Sequence, residues 1–108
     1  LVLSTAAGIA LGFVDLFDFE PMHRRAAVGL VIFEAFRNKG YGTVGLQLLS
    51  VHAKQHLDLH QLYAHISIEN AESIRIFENE GFKVVGLKKD WNFYEGSFHD
   101  EYTYQKIL

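Results

Sequence analysis

The chain has 108 residues, nearly half of them hydrophobic, and a formal net charge of −3 at pH 7. That is enough for one globular core, and too apolar for a disordered segment. The acidic balance argues against a nucleic-acid partner, the lack of cysteine excludes disulfides and thiolate metal sites, and no apolar run approaches the roughly 18 residues of a membrane helix. The chain opens on Leu-Val-Leu-Ser and Met22 is its only methionine, so it reads as a piece of a longer protein: one domain over residues 1–108, incomplete at its N-terminus.

In chain order, residues 1–5 read as a strand, Ala6-Ala7-Gly8 as a tight turn and residues 9–17 as the antiparallel partner. The polar stretch from Asp18 to Arg25 is a connection broken at Pro21; its Arg24-Arg25 pair reads as an exposed turn or part of a subunit contact. Residues 26–33 form the next strand, whose weak alternation predicts burial on both faces. A helix is expected from about Thr43 to Leu57. One stripe of it carries Leu46, Leu49, Ala53 and Leu57, and a neighbouring stripe carries Val44, Leu48 and Val51; together they predict a broad face against a sheet. Residues 61–68 are a further strand. Asn70 is the expected N-cap of a second helix from Ala71 to Glu80 that Gly81 ends, with Ser73 in its first turn. Strands over 83–94 and 98–107 flank Glu95-Gly96, a hairpin signal. The expected class is α+β, a mixed and mostly antiparallel sheet with two helices in the order βββαβαββ.

Between the strand and the first helix lies Arg37-Asn38-Lys39-Gly40-Tyr41-Gly42-Thr43. Glycines let a backbone approach a ligand closely, and a helix N-terminus offers unpaired N–H groups with a partial positive charge, so this turn reads as the seat of a pyrophosphate. A Walker loop would need four residues between its glycines followed by Lys-Ser or Lys-Thr, which is not found here. Gly40-x-Gly42-x-x-Gly45 does fit a dinucleotide turn, but no parallel strand precedes it and the acidic residue would be Asp58, ahead of the next strand. With Arg37 included, Arg-x-x-Gly-x-Gly closely resembles the acetyl-coenzyme A pyrophosphate loop of the GNAT-type N-acetyltransferases. The element order resembles that fold from its second strand onward. Glu69 to Phe82 (ENAESIRIFENEGF) is similar to the family's N-x-x-S/A-x-x-x-Y-x-x-x-G-F segment. Gly96-Ser97-Phe98-His99-Asp100 and Leu59-His60-Gln61-Leu62-Tyr63 resemble the spermidine and ribosomal-protein N-terminal acetyltransferase groups.

The resemblance implies a transfer from acetyl-coenzyme A to a primary amine, weakly favouring a polyamine such as spermidine over a protein N-terminus. A non-catalytic acyl-coenzyme A binding or assembly module is the rival reading. It implies that Leu30, Val31 and Ile32 pair with the pantetheine arm, with an N–H, that of Ile32 for choice, at the thioester oxygen. Arg37, Asn38, Lys39, Gly40, Tyr41, Gly42 and Thr43 would wrap the pyrophosphate, while Asn70, Ser73 and Phe77 would lie on the pantetheine or nucleotide side. The partners are acetyl-coenzyme A, an amine and further copies of the chain in a homo-oligomer, with no nucleic acid and no membrane. The location taken is cytoplasmic. The family's first strand and first two helices have no counterpart here.

Lysine-like amines, with pKa about 10.4, are neutral in only about one molecule in 2,500 at pH 7, so a base or a desolvating pocket must help. No residue identifies itself as that base. Asp15, Asp18, Glu20 and Glu34 are the acids near the expected strands. The family often has a tyrosine, as acid for the leaving thiolate, where this chain has Phe77, which has no proton to give. His52, His56 and His60 recur every fourth residue, but with no carboxylate–histidine pattern no metal is expected. His65 reads as a satisfied core or rim histidine. Tyr102 and Tyr104 share a face with Phe98 and Leu108 and read as sheet or dimer packing.

Overall fold

The computed structural model describes residues 2–108. Strands β1 (Val2–Ser4), β2 (Ala10–Glu20) and β3 (Arg25–Ile32) are followed by a 3₁₀ turn at Glu34–Phe36 and helix α1 (Tyr41–Gln55). Strand β4 (Gln61–Ser67), helix α2 (Ala71–Asn79), and strands β5 (Lys83–Tyr94) and β6 (Ser97–Ile107) complete the chain. The strands form one sheet in the order β1-β2-β3-β4-β6-β5. All neighbours are antiparallel except β3 and β4, which the α1 crossover makes parallel. The class is the α+β arrangement expected.

Local chemistry explains the element ends. Gly40, at φ 82°, is the left-handed N-cap of α1, so Tyr41 and Gly42 already lie in the helix, which begins two residues earlier than the sequence suggested. Beyond its C-cap at His56, Asp58 turns the chain at φ 53°, and Leu59 folds back to bond the Ala53 carbonyl at 3.0 Å and bury completely. Asn70 caps α2 by accepting the Ser73 amide at 3.2 Å. Gly81, at φ 86°, ends it. Glu95 and Gly96 both take positive φ, the requirement of a tight hairpin turn. The β5–β6 ladder shifts register between Lys88 and Asn92. Asp90 takes φ 52° in this bulge, and its amide is held by Asp100 Oδ1 at 2.8 Å. The aspartate of the tail motif thus has a structural task.

The core lies on one side of the sheet, under both helices. Val14, Ala26, Val28, Leu46, Leu49, Ala53, Leu62, Ala64, Ile66, Phe77, Phe82 and Tyr104 fill it. Leu46, Leu49 and Ala53 of the first stripe face inward, while Leu57, past the end of α1, is exposed; Val44, Leu48 and Val51 are half exposed. The broad apolar face expected of α1 is therefore one covered stripe and one bare one, because a single sheet can cover only one side of a helix. Burial of β3 on both faces holds for Ala26, Ala27 and Val28 and fails at Val31, which is 40% exposed. Tyr104 is core, whereas Phe98 is exposed and packs edge to face on Phe93. Arg24 does sit in a turn, and its guanidinium bonds the Asp58 carbonyl and carboxylate at 2.8 and 3.0 Å, tying the β2–β3 turn to the loop before β4.

Candidate functional site

Strands β3 and β4 pair only at Arg25↔Gln61, Ala26↔Leu62 and Ala27↔Tyr63. Past that point they part. Each is fixed on its other side: β3 stays paired with β2 up to Gly12↔Ile32, and β4 with β6 up to Ser67↔Glu101. A recess of about 350 Å³ opens between them, walled by Gly29, Leu30 and Val31 on one side and by Ala64 to Ser67 on the other; Asp15, Asn70, Ser73 and Phe77 also line it.

The ladder decides which main-chain groups face this gap. In an antiparallel pair, alternate residues turn their N–H and C=O toward the partner strand. The Phe33 amide reaches the Leu11 carbonyl at 2.9 Å. Counting back by twos, Val31 and Gly29 also face β2. The amides and carbonyls of Leu30 and Ile32 therefore face the gap, unsatisfied by any strand. The Ile32 carbonyl takes Arg37 Nε at 3.1 Å.

The gap runs toward the N-terminus of α1. There a second recess, about 270 Å³, is lined by Ile32, Phe36, Arg37, Asn38, Gly40, Tyr41, Gly42 and Thr43, and from α2 by Glu72, Arg75, Ile76 and Asn79. No side chain caps α1, so its first-turn amides keep their donors for an incoming anion. The two glycines differ in role. Gly40 supplies the left-handed turn, whereas Gly42 is buried at ordinary φ: a Cβ there would stand 2.9 Å from Ile76 Cδ1 and 3.3 Å from Leu30 Cδ2. Gly42 lets α1 approach α2 and β3, a packing demand that a bare spacing motif does not reveal.

The structure thus gathers Ile32, Arg37, Asn38, Gly40, Tyr41, Gly42 and Thr43 around one recess. Leu30, Val31, Asn70, Ser73 and Phe77 surround the adjoining one. Lys39 is exposed and off both walls. Arg75, absent from the sequence reading, bonds Asn38 Oδ1 at 3.2 Å through its guanidinium and brings a second cation to this recess. Its position on the α2 face shared with Glu72 and Asn79 was the available signal. Phe77 is 3% exposed and packs edge to face on Phe82; it is core as well as wall and offers no proton. Of the four acids considered as bases, only Asp15 lines the gap. His52 and His56 stand 5.1 Å apart, ring to ring, while His60 has left the helix. Among the described residues no three metal-ligating side chains cluster. His65 is exposed at the rim, with Lys88 Nζ at 2.9 Å from Nδ1. No helix among the described residues is long and apolar enough to cross a membrane.

Beside Ser67, at one end of the gap, lies a network that no spacing of residues announces. Tyr94 Oη donates to Glu69 Oε2 at 2.6 Å, His99 Nδ1 lies 2.7 Å from Glu69 Oε1, and the Tyr94 and His99 rings stack 3.7 Å apart. The hydrogen bonds from Tyr94 and His99 hold the Glu69 carboxyl below the usual range, and the same bond to Glu69 pushes the Tyr94 hydroxyl up. Next to it, burial raises the Glu101 carboxyl, but hydrogen bonds from Asn92 at 2.9 Å and Lys88 at 3.0 Å outweigh it and leave Glu101 lowered.

Comparison with known proteins matches residues 1–83 to the Acetyltransferase (GNAT) domain family. The chain is 25% identical over 99 residues to the spermidine N(1)-acetyltransferase of Vibrio cholerae, covering 92% of this chain and 57% of that protein. It is 24% identical over 98 residues to the ribosomal-protein-serine acetyltransferase of Escherichia coli, covering 91% and 55%. A solved structure of the Vibrio cholerae spermidine N-acetyltransferase, in complex with CoA and spermine, superposes with a TM-score of 0.93 at 24% identity, over 98% of this chain and 63% of that one. The chain spans little more than half the length of these curated relatives.

Proposed function

The chain belongs to the GNAT acetyltransferase domain family, and from that premise we propose that it is the coenzyme-binding portion of an N-acetyltransferase that moves acetyl from acetyl-coenzyme A to a primary amine. The observation that carries this is the gap beside β3, where the Leu30 and Ile32 amides face outward and which leads into the uncapped N-terminus of α1. An extended pantetheine arm would pair with Leu30 and Ile32 as an added strand, and the amides of Gly40 to Thr43, with Arg37, Asn38 and Arg75, would receive the pyrophosphate. One strand amide at the thioester oxygen would steady the oxyanion. Asn70 and Ser73 close the nucleotide side.

The amine must reach the carbonyl carbon from the face opposite the helices, because α1, α2 and the core fill the other. A polyamine such as spermidine is the acceptor we favour, with a ribosomal or other protein N-terminus second. The departing thiol, with a pKa near 8.5, leaves acceptably as thiolate, which makes the missing phenol at Phe77 tolerable. Phe77 also favours the rival, a module that binds acyl-coenzyme A without turning it over. A cytoplasmic homo-oligomer completes the proposal; the exposed Trp91, Phe93 and Phe98 supply an apolar face for a second copy.

Calorimetry with acetyl-coenzyme A, followed by thiol release in the presence of spermidine or an N-terminal peptide, tests the reading. Binding with turnover supports it, binding without turnover supports the rival, and no binding removes both. Phe77→Tyr is expected to raise turnover if the leaving group limits the rate.

A further inference from the structure

The Glu69 network touches the gap at one point. Ser67, the last residue of β4, lines the recess, and its Oγ lies 3.4 Å from Tyr94 Oη. Tyr94 has a single hydroxyl proton, and that proton is committed to Glu69 at 2.6 Å. The Ser67 contact therefore runs from Ser67 to Tyr94. This fixes a direction: Ser67 donates to Tyr94, Tyr94 to Glu69, and the Glu69 side chain, 53% exposed, meets water. His99 holds the far oxygen of Glu69, with its other ring nitrogen 3.1 Å from Ser97 Oγ and from the Tyr94 carbonyl. Along β4, Leu62, Ala64 and Ile66 point into the core, so Ser67 projects to the opposite face, the one from which the amine must arrive.

Resting on the function proposed above, we propose that Ser67, Tyr94 and Glu69 form the route by which the acceptor ammonium loses its proton, with Ser67 as the group that touches the amine. The bound ammonium gives a proton to Ser67 Oγ as the Ser67 proton moves to Tyr94, that of Tyr94 moves to the Glu69 carboxylate, and water takes it from there. The neutral nitrogen then forms the C–N bond, the C–S bond breaks with its electron pair going to sulfur, and the remaining excess amine proton reaches the thiolate through solvent. The charges suit this task. Tyr94 and His99 keep Glu69 ionised at neutral pH, so that it holds a proton only in passing and releases it to water, and Glu69 in turn keeps Tyr94 protonated until it is used. Glu95, next to Tyr94 in sequence, strengthens the second effect. Lys88, His65 and Glu101 form their own cluster one register away, and Asp100 is occupied by the Asp90 amide.

The test uses the intact protein with acetyl-coenzyme A and spermidine, following thiol release as a function of pH. Wild type should show a kcat that is level across the neutral range. Tyr94→Phe and Glu69→Gln should each lose about 100-fold in kcat at neutral pH. Their kcat should then climb about tenfold per pH unit, as only amine already neutral reacts. Ser67→Ala should give the same profile, the double variant with Tyr94→Phe should lose no more, and the KM for acetyl-coenzyme A should not move. Wild-type turnover with variants that keep its kcat and pH profile, or that change only KM and unfolding temperature, overturns the route alone. Wild type that binds acetyl-coenzyme A but releases no thiol with any amine overturns both the route and the function on which it rests.

Discussion

The first half of β3 and its second half are neighbours on one strand and behave oppositely. From Arg25 to Ala27 the strand is hydrogen bonded on both sides, and Ala26 and Ala27 have no exposed surface. From Val28 to Ile32 it keeps β2 and loses β4. Small side chains mark the closed half, where two alanines let strand, helix and neighbour meet. Where the strands part, the aromatic ring of Phe77 lies against the opening, with Ala64 and Ile66 on the far wall. A binding site need not be added to a sheet; it arises where one ladder stops while the strands that bound it remain held from outside. Main-chain groups left over by that stop are costly when buried and dry, so the open half needs water or an added strand that the closed half does not.

Phe77→Ala should break this contrast most severely. The ring is core to both α2 and the opening, and its loss should cost about 3–5 kcal/mol, read as a lowered denaturation midpoint. Next, a matched pair of substitutions should separate the halves. Ala27→Val, in the closed half, should cost about 1–3 kcal/mol through overpacking, whereas Val31→Ala, in the open half, should stay within about 0.5 kcal/mol. Arg37→Ala releases the Ile32 carbonyl and removes a cation from the recess at the start of α1. If the proposed pyrophosphate seat is right, it should weaken acetyl-coenzyme A binding about tenfold in a titration while shifting stability little. Asn70→Ala removes the α2 cap and should cost about 1 kcal/mol in chemical denaturation.

Acid should loosen the open side selectively. Glu69 and Glu101 both titrate below the ordinary glutamate range. A carboxyl lowered in the folded state adds stability above its unfolded value and loses it as pH falls through the folded one, so the loss should set in below about pH 4. Hydrogen exchange at the Ser67 end of β4 should then accelerate before exchange at Leu62, and Glu101→Gln should flatten that acid dependence.

Much of this was legible in the residues. Asn70 and Gly81 bracket α2 because capping and left-handed termination are local chemistry, and Glu95-Gly96 turns the hairpin for the same reason. Six of the seven residues of the Arg37–Thr43 run, all but Lys39, line the recess at the start of α1. What escaped depends on partners distant in sequence. Gly42 is small because Ile76 and Leu30 crowd it; Val44, Leu48 and Val51 look like a packing face until one asks what could cover them. Arg75 joins the recess only because α2 returns beside α1. The parting of β3 and β4 comes from different outer neighbours, β2 and β6, which no local pattern encodes. The link from Glu69 to His99 spans the α2 and β5 segments and has no spacing of its own.

The bulge at Asp90 has a further consequence for how copies of this chain can meet. Strand β5 is the outermost of the sheet and 12 residues long, the shape most prone to recruit another chain edge to edge. A left-handed residue pinned by Asp100 interrupts its run of outward amides, and Lys83 and Lys89 add exposed charges along it. Sheet continuation into a neighbouring molecule is thereby discouraged, so that any contact at this end would have to run through side chains such as the exposed Trp91 and Phe93 and would not template a fibre.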